Sequence, residues 1–210
     1  MSILKFVVLL ISKYIRSHIT IQKAMSVTRE KIMELGENLM RTRGYNAFSY
    51  QDISSELGVK NAAIHYYFPS KENLGTAIVK NNKLRFEDMV DNMRRRNFNE
   101  WQQLVAFLKI YVKSGREHKL CIVGSLAPEY NTLNESMRLE LKNMSQFIMD
   151  WLTNILDTGR TNGLFAYKGE PQDRAMLIFT SLIASMQLMR IFGKSDFKPV
   201  YQSILAELAP

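Results

Sequence analysis

The chain has 210 residues, 46% of them hydrophobic, with only 5 Pro and 10 Gly, a composition that excludes a disordered polypeptide and suits a packed, mostly helical one. A single Cys rules out an intrachain disulfide framework and any multi-cysteine metal site, as expected in a reducing compartment, and points to the cytoplasm. The net charge of +8 suits a polyanion partner but is unevenly placed: 4 basic and 0 acidic residues over 1–24, 6 and 6 over 25–75, 10 and 5 over 76–120, and 8 and 9 over 121–210.

Residues 1–24 carry Phe6 to Ile11, FVVLLI, far short of the roughly 20 apolar residues a membrane span requires. No small-residue cleavage site follows, so a signal peptide fits poorly, and no membrane partner is expected. Ile3, Phe6, Val7, Leu10, Ile11, Tyr14, Ile15 and Ile19 recur at helical spacing. Two readings stay open: an extra amphipathic helix, or an extension from an upstream start codon ahead of Met25.

Residues 28–43 read as a helix with Ile32, Leu35, Leu39 and Met40 inward, ended by Gly44. Then comes the most informative stretch, residues 49–74, SYQDISSELGVKNAAIHYYFPSKENL. Ser49 with Asp52 three residues on is a capping-box pattern, so a helix begins at about Tyr50, with Ile53 and Leu57 on its inner face. Gly58 permits a sharp reversal. A second helix over about 61–67 is held by Val59 and Ile64, and presents Lys60, Asn61, Ala62, Ala63, His65 and Tyr66 around its start and outer face. Small side chains at Ala62 and Ala63 allow close approach to a groove, and Phe68 before Pro69 reads as a buried anchor. Ser70 caps a third helix, leaving Lys71 in a first turn where a cation opposes the helix dipole unless an external anion such as a DNA phosphate is present. This is the sequence of a helix-turn-helix DNA reader.

These residues resemble the DNA-binding domain of the TetR/AcrR family of bacterial transcriptional repressors. The likeness rests on Gly44-Tyr45, Asp52-Ile53, Gly58-Val59 and the ending His65, Tyr67, Phe68, Lys71, Leu74, and it covers residues 28–75. It implies that Ser49, Tyr50, Tyr66, Tyr67 and Lys71 hold phosphates, while Lys60, Asn61, Ala62, Ala63 and His65 face base edges. Lys60 stands where the family often has Ser or Thr, so the second helix is expected to lack its usual side-chain cap, and two readings stay open for Lys60, a base edge or a phosphate, which differ by one position in the base-reading register.

Downstream, residues 71 to about 96 place Leu74, Ile78, Leu84 and Phe86 inward on a linking helix ended by Arg94, Arg95 and Arg96, a charge run read as a solvated face. Residues 100–117 align Leu104, Phe107, Leu108 and Tyr111. Residues 134–163 align Met137, Leu141, Met144, Ile148, Trp151 and Ile155, and helices over 173–192 and 197–208 follow. Gly124, Pro128 and Asn131 break the segment between 120 and 134. The expected fold is all-α: an N-terminal three-helix helix-turn-helix domain over 25–75 joined to a helical bundle over 76–210 for ligand binding and dimerisation.

The helix over 173–192 is apolar on nearly every side and must be covered all round, by its own core and by a second copy. The resemblance agrees, implying a homodimer through 173–192 and 197–208 and a palindromic double-stranded operator. Trp101, Phe107, Tyr111, Cys121, Tyr130, Phe147, Trp151, Phe179 and Met186 are candidates to line a pocket for a small, mostly apolar effector, against the plainer reading of ordinary core. By the resemblance, that ligand releases the operator. No catalytic loop or nucleophile motif is present, and His18, His65 and His118 are too dispersed for a metal triad, so neither enzyme activity, metal nor cofactor is expected. The competing function is a helical small-molecule-binding protein whose DNA reader no longer works. An enzyme using Cys121 as nucleophile ranks last.

Overall fold

The computed structural model describes residues 29–193 and 198–210, and every described element is helical. The expected helix within 1–24, together with Thr28 and Phe197, lies outside the described residues. The first helix, α1, covers 29–43 and buries Ile32, Leu35, Leu39 and Met40. Gly44 stops it at φ +105°, a value an L side chain rarely adopts.

Helix α2 (Tyr50–Leu57) starts after Ser49, whose backbone N–H donates to Asp52 Oδ2 at 2.8 Å. Gly58, at φ +65°, turns the chain, and Val59 N–H closes the helix end on Ser54 O at 3.0 Å. Helix α3 (Asn61–Tyr67) follows, packed on α2, with Ile53, Ile64 and Phe68 each nearly inaccessible to solvent and Arg29 of α1 over the Phe68 ring at 5.0 Å. Helix α4 (Lys71–Arg95) is capped by Ser70, whose Oγ accepts from Asn73 N–H at 3.3 Å. The expected domain boundary at 75/76 falls inside α4, which runs unbroken from the reader into the bundle. Gly75 allows this close passage, since a Cβ there would sit 2.6 Å from Met137 Sδ and 3.0 Å from a ring carbon of Tyr45.

The bundle consists of α4, α5 (Glu100–Arg116), α6 (Ile122–Leu126), a 3-10 turn (Ala127–Thr132), α7 (Glu135–Thr161), α8 (Pro171–Ile191) and α9 (Lys198–Leu208). Helix α7 packs on α4, α5 and α8, while α8 also meets α5, α6 and α9. At the centre Phe86, Phe107 and Trp151 meet edge to face at 5.2 to 5.9 Å between centroids, each such pair adding about 0.5–1.5 kcal/mol beyond its buried area.

Two expectations are corrected. Leu84 is 48% exposed, because six residues from Ile78 it has rotated off the buried stripe, which continues instead through Val79, Phe86, Val90 and Met93. Helix α8 begins two residues early, at Pro171, whose missing N–H and fixed φ suit a first helical turn.

Candidate functional site

The reader presents α3 on a rigid mount. Tyr50 Oη donates to Phe68 O at 2.8 Å, tying the end of α3 to the start of α2, and the side chain is buried. Burial, then the neighbouring Tyr45 and Glu72, drives its phenol well above the usual tyrosine range, so it stays a donor. Tyr50 is therefore corrected from a phosphate contact to an internal pin. No surface pattern in the sequence distinguishes it from Tyr66, which is 70% exposed.

Lys71 is half-buried at the start of α4. Its Nζ lies 4.6 Å from the Tyr45 ring centre and 4.5 Å from that of Phe48, so aromatic faces already receive the cation. Desolvation lowers its pKa, opposed by the charges of Glu129, Asp52 and Glu72. The first-turn cation thus has partners within the fold, and an external anion is not required to explain it.

Ser49 is exposed with its hydroxyl donating to Asp52 Oδ2 at 2.7 Å. Lys60 is exposed and supplies no side-chain cap to α3, as expected of a Lys in that place. Ala62, His65 and Tyr66 are exposed along α3, Ala63 and Tyr67 are half-buried, and the Tyr66 and Tyr67 rings meet at 5.1 Å. His65 leans its ring on Tyr50 at 4.8 Å, and its Nδ1 faces Pro69 O at 3.1 Å. A carbonyl only accepts, so Nδ1 carries the hydrogen and Nε2 of the neutral ring is left as an acceptor. Asn61 Nδ2 donates to Gln51 Oε1 at 3.2 Å, while its Oδ1 is buried without a partner. Gln51, on α2, escaped sequence reading because only the folded turn brings it against Asn61.

Along the bundle, α1, α4, α5, α6 and α7 line a half-open cavity of about 260 Å³, with Arg85 and Lys113 at its solvent side. Of the nine candidates, Phe107, Tyr111 and Cys121 line it. Phe147 and Trp151 stand behind its wall against Phe86. Trp101 packs on Phe165 at 5.8 Å, about 15 Å along α5 from Tyr111 at 1.5 Å per residue. Tyr130 is 41% exposed on the 3-10 turn, Phe179 belongs to the α8 core, and Met186 borders a separate crevice of about 70 Å³. Helical spacing identified the inward face but not the depth along the bundle. The polar lining, Arg41, Asn82, Arg85, Lys113 and Ser114, went unnoticed because these residues come from three helices.

Cys121 is the N-cap of α6, its Sγ accepting from Gly124 N–H at 3.2 Å. Burial pushes its thiol pKa up despite that bond and the charge of Arg41, which opposes nucleophilic reactivity. Among the described residues no group of His, Cys, Asp or Glu is arranged to hold a metal.

The cavity and the reader share a wall. Ser125 Oγ donates to Met40 O, and Asn46 N–H donates to Glu129 Oε2 at 2.9 Å. Asn46 Nδ2 reaches Thr132 Oγ1 at 2.8 Å. The end of α1 and its following turn are thus bolted to the 120–132 segment.

Residues 32–78 match the family described as bacterial regulatory proteins, tetR family. The HTH-type transcriptional repressor NemR of Escherichia coli is 22% identical over 181 residues, spanning 84% of this chain and 90% of NemR. A TetR-family transcriptional regulator from Agrobacterium tumefaciens superposes with a TM-score of 0.82 at 26% identity, over 89% of this chain and all of that one. A TetR transcriptional regulator from Legionella pneumophila superposes at 0.76 with 27% identity, covering 86% and 97% of the two chains. With the α2–α3 turn, the exposed face of α3 and the continuous helical body in agreement, the chain belongs to the TetR family of transcriptional regulators.

Proposed function

We propose that the chain is a homodimeric transcriptional repressor, holding a palindromic operator through α3 of each copy and releasing it when a small, mostly apolar ligand fills the bundle cavity. The observation that carries this reading is the exposed face of α3, with Ala62, His65 and Tyr66 open to solvent on a helix pinned from behind by Tyr50. In this reading Ser49, Lys60, Tyr66 and Tyr67 meet phosphates, which position the domain, and Asn61, Ala62, Ala63 and His65 meet base edges, which specify sequence. Residues 25–75 act as reader and 76–210 as ligand and dimerisation body, with α4 as the shaft between them. The cytoplasm is the matching location.

Dimerisation is supported by α8. One side buries Ala175, Ile178, Phe179, Leu182 and Met186, while Met176, Leu177, Leu188 and Ile191 are exposed on the other. By length and composition alone α8 could cross a membrane, but a helix half buried in its own bundle needs cover only on the remaining side, which the same face of a second copy supplies.

The test is fluorescence anisotropy on the upstream intergenic DNA against a scrambled duplex at two salt concentrations. Preference for the native fragment with two chains per site supports the regulator. Equal, salt-sensitive binding to both duplexes instead favours a ligand-binding protein with a non-functional reader, in keeping with the 6 basic and 6 acidic residues of 25–75.

A further inference from the structure

The cavity lining is of two kinds: Phe86, Phe107, Met144 and Ile148 are apolar, and Arg41, Arg85 and Lys113 are cationic. Glu117, the acidic side chain among the described lining residues, is already paired with Lys119 at 3.0 Å and Lys113 at 3.9 Å. The two guanidiniums share one carboxylate from outside the lining: Glu37 takes Arg41 at 3.3 Å and Arg85 at 2.6 Å. Arg41 also donates Nε to Leu120 O and Nη2 to Ser114 Oγ, and Arg85 Nη2 donates to Asn82 Oδ1 at 2.7 Å, so the donor capacity left for a ligand carboxylate lies chiefly on Nε and Nη1 of Arg85. A cationic ligand would meet like charge here, and a neutral one would leave that capacity unused.

We propose, on the reading of this cavity as the effector site, that the effector is a small amphipathic anion whose carboxylate takes over Arg85 and Arg41 from Glu37 while its apolar body lies on Phe86 and Phe107. Taking about 30 Å³ for each non-hydrogen atom, as for a water molecule in the liquid, the cavity holds about nine of them, and its open side takes the rest of a slightly longer body. Arg41 belongs to α1 of the reader, and its Nε also donates to Leu120 O at 2.7 Å beside the cavity wall at Cys121. A ligand that re-aims Arg41 therefore acts directly on the hold that the bundle has on the reader.

The experiment is calorimetric titration of the full-length protein, without DNA, with octanoate, octanol and octylamine, and with 3-phenylpropionate as an aromatic carboxylate. The expected result is octanoate or 3-phenylpropionate binding at least about tenfold more tightly than octanol, with no octylamine binding. Arg85→Gln should weaken the carboxylate about tenfold, the value of a charge-assisted hydrogen bond, while leaving octanol unchanged. Arg85 is half exposed, so the variant is expected to fold, and an unchanged melting curve checks this. Octanol or octylamine binding as tightly as octanoate, an indifferent Arg85→Gln, or no binding of either carboxylate overturns the proposal. Anisotropy on operator DNA separates the two readings: release by octanol would leave the ligand-responsive repressor standing and remove only the anion, whereas absence of specific DNA binding removes the repressor without touching the calorimetry.

Discussion

Arg41 on α1 and Leu120, just ahead of α6, exchange two hydrogen bonds: Leu120 N–H donates to Arg41 O at 3.0 Å, and Arg41 Nε donates to Leu120 O at 2.7 Å. The residues are 79 apart in sequence, and one belongs to the reader while the other adjoins the cavity. A third bond, from Arg41 Nη2 to Ser114 Oγ at 2.8 Å, extends the clamp to α5. The α5–α6 wall is thereby tied to α1 through short, charge-assisted contacts.

Arg41→Leu should lower stability by about 2–3 kcal/mol, because it strands the part-buried Leu120 carbonyl and leaves Glu37 with only Arg85. Urea unfolding followed by circular dichroism measures this. A loss below about 0.5 kcal/mol would mean the clamp does not hold the reader.

Tyr50 and Tyr66 should part company under mutation. Tyr50→Phe removes the Phe68 contact and should cost about 1 kcal/mol of stability, since the buried carbonyl loses its donor. Tyr66→Ala should leave stability within about 0.5 kcal/mol, as expected of an exposed position, and weaken binding to all DNA sequences alike. Thermal melts and anisotropy on specific and scrambled duplexes check both halves. Reversal of the two effects would restore Tyr50 as a DNA contact.

Asn61 should govern sequence preference. Its amide is held by Gln51, so Asn61→Ala alters which operator variants are bound best, and Gln51→Ala does so partially by releasing the amide. A loss of about 1–3 kcal/mol confined to one base pair is expected. Competition between operator variants, changed one position at a time, gives the answer, and a uniform loss across positions would assign Asn61 to backbone contact.

Gly75→Ala should destabilise by about 1–3 kcal/mol even though Ala favours helix by about 1 kcal/mol, because the new methyl meets fully buried Met137 and the Tyr45 ring. Guanidinium unfolding measures the change. Stabilisation would show that Met137 swings aside.

Cys121 should alkylate more slowly than an unperturbed thiol at neutral pH. Its pKa is raised in the fold, so the thiolate fraction at any given pH is smaller than in the unfolded chain, and reaction should accelerate as pH rises or when the protein is unfolded. Iodoacetamide labelling with and without urea tests this. Faster labelling of the folded protein would reinstate a reactive cysteine.

Much of the architecture was legible because local chemistry dictates it. Ser49 with Asp52, Gly58 and Ser70 mark helix ends through backbone needs that neighbouring residues satisfy, so α2, α3 and the start of α4 are readable to the residue. Apolar residues three and four apart fixed the buried stripes of α5 and α7, and the all-round apolar character of α8 announced a face requiring cover. The Pro171 start of α8 was missed because a proline that ends one segment equally begins the next.

The site was legible only in part. That α3 is a reader follows from sequence, since its small and polar outer residues lie within one short helix. Which tyrosine is a contact and which a pin, and which aromatics line a cavity, depends on how far each helix slides along its neighbours, and a periodic pattern has no term for that. Tyr50 reaches Phe68 across a turn, Gln51 reaches Asn61, and Arg41, Arg85 and Ser114 meet from three helices. Local sequence therefore determined the helices and their inward faces, because caps and periodicity act over a few residues. Tertiary packing alone decided the cavity, its charged lining and its wiring to the reader, because those contacts join residues tens of positions apart.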